Sequence, residues 1–92
     1  MATTVPRALE LTAIIEREDD QYVSLCPEVN VASCGGTVEE ARANLIEALE
    51  GFFEAAPPSE VRRRWHEITD PGELQQRLHN EVFITRLEIT VG

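Results

Sequence analysis

The chain has 92 residues, 42% of them hydrophobic, which is enough for one domain around one modest core and too few for two. Eight basic side chains against seventeen acidic ones give a formal net charge of −9, which opposes binding to a phosphate backbone and favours a cationic partner. No window approaches the roughly 18 apolar residues of a membrane span, and the start, MATTVPRALEL, lacks the apolar stretch of a signal peptide, so a soluble cytoplasmic protein is expected.

Residues 8–17, ALELTAIIER, alternate Leu9, Leu11, Ala13 and Ile15 against Glu10, Thr12, Ile14 and Glu16, the period of a half-buried strand. The turn-formers Glu18, Asp19 and Asp20 interrupt it, and QYVSLC at 21–26 resumes it, predicting an antiparallel hairpin. Pro27 ends the second strand, because proline has no N–H for a ladder. A third short strand is predicted with Val29, Val31 and Ser33 alternating against Asn30, Ala32 and Cys34.

The stretch CGGTVEEARANL, 34–45, places two glycines before a helix start, as a phosphate-binding loop does. Thr37 and Glu40, however, have capping-box spacing, and Glu39 and Glu40 put negative charge where a phosphate loop needs attraction. A Walker loop also requires a lysine, and the chain has none. The stretch therefore reads as a turn and a cap, with Gly35 and Gly36 giving the backbone freedom to swing from strand to helix. The helix predicted from 38 to about 55 carries Val38, Ala41, Leu45, Ala48, Leu49 and Phe52 as one apolar stripe to lay on a sheet. Ile46 and Phe53 flank that stripe as peripheral core, with an oligomer contact as the alternative if they are exposed.

Pro57-Pro58 stops the helix; Ser59 is placed to cap a short second one over EVRRRWHEI, and a third is predicted at 73–79. The run EVFITRLEITV, 81–91, alternates Phe83, Thr85, Leu87, Ile89 and Val91 against Val82, Ile84, Arg86, Glu88 and Thr90, a strand long enough to pair with the first. The order β-β-β-α-β predicts an α+β fold with one long helix packed on one face of the sheet.

Residues 1–56 hold three arginines and eleven carboxylates, a net of −8, whereas residues 57–79 hold four of each sign. Arg62-Arg63-Arg64 before Trp65 and His66 is the one basic and aromatic cluster; with Glu60 and Glu67 beside it, it reads as a solvated helix face with Trp65 packed inward rather than a nucleic-acid site. Cys26 and Cys34 lack a CxxC motif and paired histidines, and His66 and His79 lie at no informative spacing. Neither G-x-S-x-G nor a nucleophile with a nearby base is present, so no catalytic residue, metal or other cofactor is assigned.

The ordered set Glu16, Tyr22-Val23, Cys26-Pro27-Glu28, Ser33-x-Gly35, Thr37-x-Glu39-Glu40-Ala41 and Asn44-Leu45 with Glu47-Ala48 resembles the HicB family of antitoxins. Residues 8–56 carry the resemblance, 57–79 form a helical connector, and 81–91 is similar to the closing strand of short family members, all within one domain of residues 1–92. The resemblance implies a non-catalytic, partial RNase H-like sheet and helix that binds and blocks a small basic HicA-like mRNA ribonuclease. A metal-dependent nuclease is not expected, since the first strand's inward positions are Leu9, Leu11, Ala13 and Ile15 rather than carboxylates.

The toxin contact is expected at the hairpin turn Asp19-Asp20, at Tyr22, and at Glu28 and Asn30, chosen for exposure and charge. The alternative is a solitary HicB-like domain with no toxin, structural or regulatory, assembled as a homodimer or higher oligomer through Ile46, Phe53 and an edge strand. Longer relatives carry a C-terminal DNA-binding domain; ending at Gly92, this chain is not expected to bind DNA directly.

Overall fold

The computed structural model describes residues 7–66 and 82–91. Its elements are β1 (Arg7–Glu18), β2 (Gln21–Cys26), β3 (Val31–Gly35), α1 (Val38–Ala55), α2 (Pro58–Arg64) and β4 (Val82–Val91). The strands form one antiparallel sheet in the order β3-β2-β1-β4, the α+β arrangement expected from the element order. The helix predicted at 73–79, and His79 within it, lie outside the described residues.

Register decides which side chains meet α1. Ile15 lies across from Ser24 and Phe83, and Leu11 from Leu87, so the odd positions of β1 share a face with Ser24, Cys26, Leu87 and Ile89. Leu11, Ala13, Ile15, Cys26, Leu87 and Ile89 are buried there against Ala41, Leu45 and Leu49 of α1. Burying each leucine contributes roughly 1.5 to 3 kcal/mol, more than helix propensity supplies over the same turn. Ile46 and Phe53, the alternative oligomer contact, are half-buried and packed against this core, with Phe53 edge-on to Phe52 at 5.2 Å between ring centroids. Their apolar surface is thus largely spent within the chain.

The Thr37 hydroxyl accepts from the Glu40 N–H at 3.0 Å, as the capping box requires, while the Glu40 carboxylate accepts from Gly36 N–H at 3.3 Å, one residue earlier than expected. The glycines do not serve as conformational hinges, since no glycine of the described chain has a positive φ. Gly35 is instead a close-approach residue: a Cβ there would lie 2.5 Å from the Ala41 backbone nitrogen. Ser24 Oγ donates to the Ala41 carbonyl at 2.8 Å at the same crossing, tying β2 to the first turn of the helix.

The second helix starts at Pro58 with Pro57 as its N-cap, not at Ser59, because proline suits the first helical turn, where an N–H has no partner in any case. It ends at Arg64, before the expected end of the run, and Trp65 is 38% exposed rather than packed inward. Among the described residues, no helix is long and apolar enough to cross a membrane.

Candidate functional site

The five residues expected to contact a partner do not form one site. Asp19 and Asp20 make a two-residue turn closed by the pair Glu18 and Gln21, with Asp19 in the left-handed region at φ 54°. Such hairpin turns need positive φ, and aspartate tolerates it better than most side chains. Glu18, Asp19 and Asp20 are all exposed, and Arg17 Nε donates to the Asp19 carbonyl at 3.4 Å. This end of the sheet therefore presents three consecutive carboxylates on a hydrogen-bonded turn. Tyr22 stands next to it, half-buried across from Gly35.

Glu28 and Asn30 sit at the other end of β2. Six strand residues separate the two ends, about 17 Å at the rise of a β-strand. Asn30 is exposed, with φ 55°, in the turn before β3. Glu28 corrects the expectation outright: it is 2% exposed and no surface contact.

What buries Glu28 is the end of the β1–β2 ladder. The paired register stops at Ile14 and Leu25, and continuing it would set Pro27 opposite Thr12. The chain instead turns, and the Glu28 carboxylate replaces the missing strand: the Thr12 N–H donates to Oε1 at 3.0 Å and the Thr12 hydroxyl to Oε2 at 2.8 Å. The Cys26 thiol donates to Oε1 at 3.4 Å. From β4, Arg86 Nη1 donates to the Thr12 hydroxyl at 2.8 Å and lies 3.7 Å from Glu28 Oε2, supplying the countercharge. A buried carboxylate persists only when paired and hydrogen-bonded, and here both conditions are met.

Chemically this cluster is a clasp. Burial, reinforced by the Glu28 charge, pushes the Cys26 thiol up to about 12, so it stays protonated and is a poor nucleophile at neutral pH. Among the described residues every buried side-chain polar atom has a hydrogen-bond partner, so the buried interior of the clasp is satisfied from within. Its outer side is secured by the segment after α2, where the His66 N–H donates to the Glu28 carbonyl at 2.7 Å. Arg64 Nη1 donates to the Val29 carbonyl at 3.5 Å while its guanidinium lies over the Phe52 ring at 5.2 Å.

Thr12 and Arg86 are the members that sequence reasoning did not single out. The available signal was slight: a proline closing a strand, a glutamate next to it, and a threonine in an otherwise apolar stretch. Of the arginine cluster, Arg62 and Arg63 are exposed, with Arg63 paired to Glu60, whereas Arg64, also close to Glu60, is drawn back onto Phe52 and Val29. Between β3 and α1 an open groove of about 330 Å³ is lined by Ser33, Asn44, Glu47 and Ala48, with Glu47 the charged side chain among these described residues. Among the described residues no group of three or more His, Cys, Asp or Glu side chains is placed to hold a metal ion. No protein-family profile, curated protein or solved structure matches the chain.

Proposed function

We propose that the chain is a binding module, an antitoxin that docks onto a small basic HicA-like ribonuclease and blocks its RNA-binding face, with carboxylates standing where phosphates would. The observation that carries this reading is the hairpin end, where Glu18, Asp19 and Asp20 are exposed together on a hydrogen-bonded turn. A net charge of −9 adds a long-range pull on a cationic partner, raising encounter rates and penalising acidic competitors. The HicB-like order of residues from Glu16 to Ala48 supplies the partner's class, and the β-β-β-α-β order is the one that resemblance implies. With Glu28 enclosed, the proposed contact narrows to Asp19, Asp20 and the neighbouring Tyr22, and Asn30 belongs to a separate end of the sheet.

The test is to look beside this gene for one that encodes a small basic protein with a histidine, and to co-express the two. The two should co-purify, and the purified chain should stop that protein from cleaving RNA. Free cleavage in the presence of excess folded chain would refute the reading.

A further inference from the structure

Among the described residues β4 is the outer strand beyond β1, and its ten residues contain no proline, glycine or lysine. An edge strand offers a row of backbone donors and acceptors that another strand can continue, and proteins usually blunt it by shortness, proline, lysine or a bulge. The opposite edge is blunted in this way, since β3 has only five residues and lies against α1.

The clasp shows which groups β4 offers. The Thr12 N–H is turned towards Glu28 and so away from β4. Thr12 and Arg86 therefore face each other without exchanging backbone hydrogen bonds, and the N–H and C=O of Arg86 point to the outer edge. By alternation those of Ile84, Glu88 and Thr90 do the same. Charge is unresolved at the same place: Glu88 lies directly across from Glu10, a destabilising like-charged pair, and makes no ion pair among the described residues. Arg86 leans to Glu10 and Glu28, 3.7 Å from each. On the helix-facing side of the strand, Phe83 is 42% exposed.

We infer that β4 pairs antiparallel with β4 of a second copy of this chain about a two-fold axis at Leu87, joining two four-stranded sheets into one with both α1 helices on the same side. In that register Arg86 stands opposite Glu88 of the second copy, and Glu88 opposite its Arg86, so the Glu10–Glu88 repulsion gains a cation. Leu87 meets its own equivalent, and Phe83 falls opposite Val91. Charge also selects the register: a two-fold at Arg86 sets arginine on arginine, and one at Glu88 sets glutamate on glutamate. The contact is isologous and closes at two copies. It uses neither the hairpin end nor the antitoxin reading, so either can fail without the other.

Sedimentation equilibrium of the full chain, paired with amide hydrogen exchange followed residue by residue, tests this. The chain should sediment at twice its mass at micromolar concentration. Glu88→Arg, which removes the repulsion with Glu10 and should keep the fold and its circular dichroism, should weaken self-association about ten-fold or more by setting arginine against arginine. In the unsubstituted dimer the amides of Ile84, Arg86, Glu88 and Thr90 should become as slow as those of Thr85, Leu87 and Ile89, and dilution should release only the first set. A monomeric wild-type chain, a dimer that protects α1 or β3 instead, or a folded Glu88→Arg that dimerises as tightly would each overturn the inference. Should Glu88→Arg fail to fold, the alternating exchange pattern of the unsubstituted chain decides alone.

Discussion

Glu28 occupies, beside Thr12, the place that a continuing strand would have taken: its two carboxylate oxygens receive the Thr12 amide at 3.0 Å and the Thr12 hydroxyl at 2.8 Å. A turn residue thereby completes the hydrogen bonding of the sheet's central strand, and Arg86 from β4 balances its charge. Glu28→Ala should cost about 3 to 5 kcal/mol, because it leaves the Thr12 amide without an acceptor and Arg86 without its buried anion. Glu28→Gln should cost less, about 1.5 to 3 kcal/mol, since one oxygen still accepts while the amide nitrogen meets donors. Urea unfolding measures both, against a total stability of about 5 to 15 kcal/mol for a domain of this kind.

The Cys26 thiol gives the clasp an alkaline signature. Up to its ordinary value of 9.0 the thiol is protonated in both folded and unfolded chains and adds no pH dependence. Between 9.0 and about 12 the unfolded thiol ionises and the folded one does not, so stability is lost as pH rises through that window. The loss has a slope of up to about 1.4 kcal/mol per pH unit. Cys26→Ser keeps a donor for Glu28 and does not titrate there, so its stability should fall less steeply over the same range than that of the parent chain.

Gly35→Ala probes the closest approach of strand and helix. The added methyl would sit 2.5 Å from the Ala41 backbone nitrogen, so β3 and α1 must separate, loosening the bond from Ser24 Oγ to the Ala41 carbonyl. A loss of about 1 to 3 kcal/mol is expected by thermal or urea unfolding. Gly36→Ala, whose nearest contact would be a flexible Glu40 oxygen at 3.9 Å, should be tolerated far better.

Leu45 stands at the middle of the buried helical stripe and is fully enclosed. Leu45→Ala should destabilise the chain by about 2 to 5 kcal/mol in the same assay, and Leu45→Asp should prevent folding, since an unpaired carboxylate would enter the core.

The sheet and its helix were legible because their signals are periodic and local. Leu9, Leu11, Ala13 and Ile15 alternate, Ala41, Leu45 and Leu49 recur at helical spacing, and Pro27 marks a strand end, so element order and core face followed directly. β3 begins at Val31 rather than Val29, because the chain from Pro27 to Asn30 is used in a turn that seats Glu28. Glu28 itself was illegible, since a glutamate after a proline ordinarily belongs to an exposed loop. Its burial depends on Thr12, sixteen residues away, and on Arg86 from the last strand, partners that only the sheet brings together. Trp65 departs from the inward packing that its place in the run suggests: α2 ends at Arg64, and Trp65, its C-cap, is 38% exposed.

The most direct test of the central claim, that a negatively charged hairpin end docks onto a basic protein, is a calorimetric titration of the chain against a purified small basic ribonuclease of the HicA class, sought first beside its own gene. Low salt should give saturable binding, weakened by added salt and by Asp19→Lys with Asp20→Lys in a chain that remains folded. No heat at low ionic strength, or binding equally tight with both lysines in place, would contradict it.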